Sequence, residues 1–153
     1  MSNGTTQDTG KKADLANRVI ALIIDALIAG VIGFIPLLGG IIGTAYMLLR
    51  DGFEFEFMDH RSVGKKLMKL RPVRLDGGVV DLETSVRRNW MFAFGALAQT
   101  VRFVPLLGWL FAFIISLAAL AVGIMEIVFT VKDPEGRRWG DYLANTKVIA
   151  AEK

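Results

Sequence analysis

Residues 18–40, which read RVIALIIDALIAGVIGFIPLLGG, decide the fold. From Val19 to Leu49 the ionisable side chains are Asp25 and the phenol of Tyr46. A helix needs about 20 consecutive apolar residues to cross a bilayer, and this stretch is longer than one crossing requires. Pro36 divides it, because proline breaks a helix interior but suits the start of the next helix. The stretch therefore predicts two membrane helices joined by a tight turn, with one carboxylate inside the first.

The whole chain has the composition of a membrane protein. Hydrophobic residues make up 53% of its 153 residues, and its mean hydropathy is +0.46, which is too apolar for an ordinary soluble domain of this size. Apolar segments predict helices at about residues 15–35, 37–50, 86–104 and 106–131. The predicted fold class is an all-α membrane protein whose four transmembrane helices form two tandem helical hairpins.

The polar ends and the basic residues predict an orientation. Residues 1–14 are polar, which predicts a disordered cytoplasmic N-terminus. The membrane domain is predicted at 15–150, followed by a short tail at 151–153. All but one of the 18 lysines and arginines lie in residues 1–18, in residues 50–89 or in residues 132–153. Four crossings put these pieces on one side, which the positive-inside rule makes cytoplasmic. The exception, Arg102, is expected to reach the outer headgroups.

Several function classes lack the residues they need. The chain has no cysteine and a single histidine, His60, so zinc and thiol chemistry are not supported. Glycine-rich phosphate-binding motifs are absent from the sequence. We therefore expect no cofactor, no metal and no enzymatic activity. Nucleic-acid binding is not expected either, because the positive-inside bias already explains the basic charge.

The segment between the two helix pairs carries turn chemistry. Asp76-Gly77-Gly78 predicts a small cytoplasmic β-hairpin over about residues 66–83. Pro72 confines its strand to an edge position. The C-terminal TKVIAAEK is a candidate third strand, and Thr84 or Ser85 is a candidate N-cap for the third helix.

The sequence also contains an internal repeat. FIPLLG at 34–39 recurs as FVPLLG at 103–108. RSVGKKLMKLRPV at 61–73 has a counterpart, RRWGDYLANTKVI at 137–149, when Gly64 is aligned with Gly140. Because each repeat has an even number of predicted crossings, the two repeats would be parallel.

These motifs together resemble the RDD family of prokaryotic membrane proteins over about residues 15–150. The resemblance rests on Arg18 and Asp25, R-S-x-G-K-x-L with Gly64 and Lys65, Arg88-Asn89, and G-D-x-L-A-x-T-x-V from Gly140 and Asp141. It implies that Arg18, Asp25 and Asp141 are the arginine and two aspartates of the family name, with Asp51 as the alternative second aspartate. Lys69 and Asn145 stand where such stretches often carry glycine. The resemblance further implies a prokaryotic inner membrane and a transport role.

Two functions fit these residues. In the first, the protein transports Na⁺ or H⁺, and Asp25, Glu126 and Asn89 bind the ion, because ionisable groups inside a membrane mark ion pathways. In the second, it is a non-transporting scaffold or accessory subunit in which Arg18, Asp25 and Asp141 fix the architecture. With either function, the protein is expected to associate with copies of itself or with a partner membrane protein.

The basic loop residues suggest contact with anionic lipid headgroups. The candidates are Arg61, Lys65, Lys66, Lys69, Arg71 and Arg74.

Overall fold

A computed structural model describes residues 10–35, 38–101 and 104–151. Pro36 and Arg102, with the roles predicted for them, lie outside the described residues, as do residues 1–9, 152 and 153 of the predicted tails. The elements are α1 Leu15–Gly33, α2 Gly39–Leu49, α3 Val63–Leu67, β1 Leu70–Arg74, α4 Leu82–Asn89, α5 Ala93–Val101, α6 Gly108–Lys132, α7 Trp139–Leu143 and β2 Thr146–Ala150. A 3-10 turn, Trp90–Phe92, joins α4 to α5.

Helices α1 and α6 are long and apolar enough to cross a membrane. At about 1.5 Å per residue they measure roughly 28 and 38 Å, against a hydrocarbon core of about 30 Å. Their apolar side chains face outward: Val31 is 70% exposed and Ile127 57%. A core helix of a soluble protein would bury such side chains, so these surfaces suit lipid.

Helices α2 and α5 are shorter, with 11 and 9 residues. Helix α2 packs against α1, and α5 packs against α6, so both predicted helical hairpins are present. Glycine allows the close approach in the first hairpin. A Cβ atom on Gly39 would lie 2.3 Å from the carbonyl oxygen of Ile32, and one on Gly43 would lie 2.8 Å from that of Ala29.

The prediction of one continuous third helix at 86–104 is wrong, because the chain forms two helices there and the first begins earlier. Helix α4 begins at Leu82, and the 3-10 turn separates it from α5. The predicted N-caps Thr84 and Ser85 lie inside α4. Asp81 is the N-cap, and its carboxylate accepts a hydrogen bond from the backbone N–H of Thr84 at 2.8 Å. Aspartate suits this position because it satisfies an N–H that the first helical turn leaves free.

The predicted hairpin within 66–83 is also wrong. Strand β1 pairs antiparallel with β2, so Pro72 lies opposite Val148, and the C-terminal strand is confirmed. This pairing closes a small core in which Leu70 and Val148 pack with Ala21 of α1. After the turn at 76–78 the chain proceeds instead to the N-cap of α4.

The N-terminal residues next to α1 are ordered along the sheet. The backbone N–H of Ala13 donates to the carbonyl of Val148, and Lys12 forms a β-bridge with Ile149. Residues 11–13 of the predicted disordered segment therefore belong to the folded unit.

The sequence repeat is a structural repeat. In each half a five-residue helix, α3 or α7, leads into a strand of the same sheet. Between helix and strand, Lys69 and Asn145 have φ angles of 53° and 51°. This left-handed conformation is one that glycine adopts without a steric penalty, which explains why glycine suits both positions.

Candidate functional site

Asp25 is completely buried and fully paired. Its Oδ1 accepts hydrogen bonds from the Tyr46 hydroxyl at 3.0 Å and from the backbone N–H of Gly64 at 2.8 Å. Its Oδ2 accepts from Arg50 Nη1 at 3.0 Å. Arg18, the nearest cation in sequence, lies two turns earlier on α1 and binds elsewhere. The carboxylate inside α1 therefore connects that helix to the end of α2 and to α3.

Gly64 lets α3 approach α1 closely enough for this contact. A Cβ atom on Gly64 would lie 2.0 Å from the carbonyl oxygen of Ala21. The second repeat uses the same device, because a Cβ on Gly140 would lie 2.1 Å from the carbonyl oxygen of Arg88. The N–H of Gly140 donates to Glu126 Oε1 at 3.0 Å. Each short helix is thus held by a glycine and by a carboxylate from a long helix.

Asp51 forms a second buried centre just after α2. Its Oδ1 accepts from Lys65 Nζ at 2.7 Å and from the backbone N–H of Ser62 at 3.2 Å. Its Oδ2 accepts from Asn89 Nδ2 at 3.2 Å and lies 3.6 Å from Arg88 Nε. Burial alone would raise the pKa of Asp51, but the charges of Lys65 and Arg88 hold it well below its usual range. Asp51 is therefore an ionised anchor for both α3 and α4.

Asp141 forms the third centre, at the start of α7. Its Oδ2 accepts from Arg18 Nη2 at 2.9 Å and from the backbone N–H of Arg138 at 3.3 Å. Its Oδ1 accepts from Arg88 Nη2 at 2.8 Å. Burial alone would raise the pKa of Asp141, but Arg88, Arg138 and Arg18 lower it below its usual range. Arg88 reaches both Asp51 and Asp141, and α3 binds Asp25 through Gly64 and Asp51 through Lys65, so the three centres form one network.

The three predicted ion-binding residues occupy separate parts of this network. Asn89 donates to Asp51 and accepts from Arg138 Nη2 at 2.7 Å, rather than lying between Asp25 and Glu126. Glu126 is 4% exposed, and its Oε2 has no hydrogen-bond partner among the described residues. Asn89 therefore joins the network through Asp51. Glu126 instead holds α7 by accepting the hydrogen bond from the N–H of Gly140.

Sequence reasoning missed Arg50 and Tyr46 as partners of Asp25, and it missed Arg138 as a partner of Asn89. A usable signal existed for Arg50, because it ends the apolar run after Pro36. In an antiparallel hairpin turning near Pro36, the last residues of α2 return to about the level of Asp25 on α1. Arg138 was aligned within the repeat, but nothing local to it indicates contact with Asn89.

The predicted lipid-binding residues differ in accessibility. Lys65 is buried against Asp51, which removes it from the surface. Arg61 and Arg71 pair with Asp59. Lys69 is exposed. Arg74 pairs with Asp76, and Lys66 Nζ donates to the carbonyl oxygen of Phe57.

Within the part of the chain that the structure describes, no three His, Asp or Glu side chains are grouped to hold a metal ion. The arrangement is one of ion pairs and backbone contacts. It attaches the polar segments α3, α4 and α7 to the apolar helices.

Comparisons with known proteins agree with the motifs. Searches of curated proteins and of solved structures found no match. A family model described as the RDD family matches residues 37–145, which include Asp51 and Asp141. Arg18 and Asp25 precede the matched range, so their family roles stay predictions. Since the match covers more than half of the chain, and apolar outward-facing helices accompany it, this protein belongs to the RDD family.

Proposed function

We propose that the chain crosses the inner membrane four times with both termini in the cytoplasm. Two observations support this: the helices pair as α1–α2 and α5–α6, and the basic residues concentrate at one end of the bundle. Helices α2 and α5 are shorter than a hydrocarbon core of about 30 Å, so in this topology they cross a locally thinned bilayer beside the long helix that each one contacts.

Cysteine labelling tests this topology, because the natural chain has no cysteine. Gly77→Cys lies in the turn after β1, and Leu106→Cys lies in the exposed connection before α6. We expect an impermeant maleimide to label Leu106→Cys in intact spheroplasts and Gly77→Cys only after lysis. Labelling of Gly77→Cys from outside would reverse the proposed orientation.

The function that the geometry supports best is a membrane scaffold or accessory subunit whose buried charges fix its architecture. One observation carries this proposal. All six side-chain oxygens of Asp25, Asp51 and Asp141 already accept hydrogen bonds from the protein. A cation would have to approach these oxygens against the positive charges of Arg50, Lys65 and Arg88, which already pair with them. The rigid unit would then dock to another membrane protein or to a second copy.

Flux and stability measured together test this function. We expect proteoliposomes with the wild-type chain to pass Na⁺ and H⁺ no faster than protein-free liposomes. We expect Asp25→Asn to lower the melting temperature, because removing one partner of a buried ion pair leaves the other uncompensated. Wild-type flux above the protein-free level that disappears in a stably folded Asp25→Asn variant would refute the scaffold.

Glu126 supports a second candidate function, the transport of Na⁺ or H⁺. Its Oε2 has no hydrogen-bond partner in the described part of the chain, and the side chain lines a groove of about 560 Å³ between α1 and α6, together with Arg18 and Arg138. In this candidate, Glu126→Gln abolishes flux while the melting temperature stays unchanged. Equal flux in the wild type and in Glu126→Gln would exclude this role for Glu126.

A further inference from the structure

A small cavity of about 40 Å³ lies inside the ion-pair network. Its apolar walls come from Ala21 and Leu22 of α1 and from Leu70 and Val148 of the sheet. The remaining six lining residues are all ionisable, and five of them are basic. They are Arg18, Asp25, Arg50, Lys65, Arg88 and Arg138.

Several buried donors of these residues lack an acceptor. Arg88 is completely buried, and its Nη1 makes no hydrogen bond to any described residue. Arg50 is 2% exposed, and its Nε is likewise without a hydrogen-bond partner there. Buried guanidinium donors are costly to leave unsatisfied, so an acceptor inside the cavity would stabilise the fold.

The charge around the cavity is positive. Five cations face three fully buried aspartates in the network, and adding Glu126 still leaves one positive charge in excess. This excess is present while Lys65 is protonated. Burial, together with Arg50 and Arg88, lowers the pKa of Lys65 to about 7 although Asp51 opposes the shift. Uncompensated buried charge is unfavourable, and a negative ion is the ligand that offsets it most directly.

We propose that this cavity binds one monatomic anion, chloride or another halide, held by the guanidinium groups of Arg50, Arg88 and Arg138. The size of the cavity favours such an ion. A water molecule needs roughly 10–15 Å³ of this kind of volume, so a cavity of about 40 Å³ has room for one halide ion with one or two waters, but not for a lipid headgroup. The anion is a structural ligand of the network, and its binding does not depend on transport.

Halide titration of the purified, detergent-solubilised chain tests the site. The protein is first exchanged into sodium gluconate, and chloride or bromide then replaces gluconate at constant ionic strength. We expect the melting temperature, followed by tryptophan fluorescence, to rise saturably by roughly 5–10 °C at 100 times the dissociation constant. Sulfate stabilises proteins in general because it is excluded from their surface, so at matched ionic strength it should raise the melting temperature without saturation.

Two variants and a direct measurement separate a site from a general salt effect. We expect Arg138→Gln, which removes one lining cation, to weaken the halide response at least tenfold. Arg137→Gln, the neighbouring arginine that does not line the cavity, should keep the response. Equilibrium dialysis with radioactive chloride should give one ion per wild-type chain. A melting temperature equal in gluconate and chloride, with no bound chloride, would show that the cavity holds only water. An equal loss of the halide response in Arg138→Gln and Arg137→Gln would also overturn the proposal.

Discussion

Gly64→Ala tests most directly how the polar segments attach to the bundle. The new Cβ would lie 2.0 Å from the carbonyl oxygen of Ala21 and 3.0 Å from Asp25 Oδ1. Ordinary contacts of a Cβ are 3.4 Å or longer, so α3 must move away from α1 by more than an ångström. That movement would break the hydrogen bond from the Gly64 N–H to Asp25.

The expected cost of Gly64→Ala has two parts. Overpacking costs about 1–3 kcal/mol, and losing a hydrogen bond to a charged group costs about 1.5–3 kcal/mol. The free energy of unfolding should therefore fall by roughly 3–6 kcal/mol. For a chain of this length each kcal/mol shifts the melting temperature by about 2–4 °C, which predicts a drop of roughly 6–24 °C.

Thermal unfolding in detergent, followed by tryptophan fluorescence, measures this drop. Gly123→Ala in α6 is the matched control, because a Cβ there meets open space; it should be neutral or stabilising by up to about 1 kcal/mol. Gly140→Ala should behave like Gly64→Ala, since it meets the Arg88 carbonyl oxygen at 2.1 Å. A melting temperature of Gly64→Ala within 2 °C of wild type, on the scale of about 2–4 °C per kcal/mol, would refute the packing argument.

Three further predictions concern charge, backbone and pH. Asp25→Asn and Arg50→Gln should each cost about 3–5 kcal/mol, and the double variant should cost less than their sum; additive losses in a double-mutant cycle would contradict the ion pair. Lys69→Gly should stabilise the protein by about 0.5–1 kcal/mol, because it relieves a left-handed backbone; a lower melting temperature would be inconsistent with that conformation. Asp51 has a lower pKa in the folded state than its unfolded pKa of about 4, so it stabilises the fold fully when the pH is above that unfolded pKa. This stability is lost as the pH falls towards the folded pKa, and a melting temperature that rises from about pH 5 to about pH 3 would contradict it.

The sequence motifs identified many residues of the network but not the contacts between them. Arg18, Asp25, Arg88 and Asp141 all lie in it. The partner of Asp25 was missed, because the contact with Arg50 depends on how far α2 returns along α1. Helix–helix register of this kind is set by the close packing at Gly39 and Gly43, which hydrophobic periodicity does not reveal.

The sequence by itself determined the apolar segments, the two helical hairpins, the repeat and the family, because each follows from local hydrophobicity, proline positions or short motifs. Only the tertiary structure decided that β1 pairs with the distant β2, with Pro72 opposite Val148, rather than within a hairpin. It also decided which cation neutralises each carboxylate and where the positive cavity lies. The physical reason is that these contacts join distant parts of the chain, and their free energy depends on burial and geometry that exist only after the helices have packed.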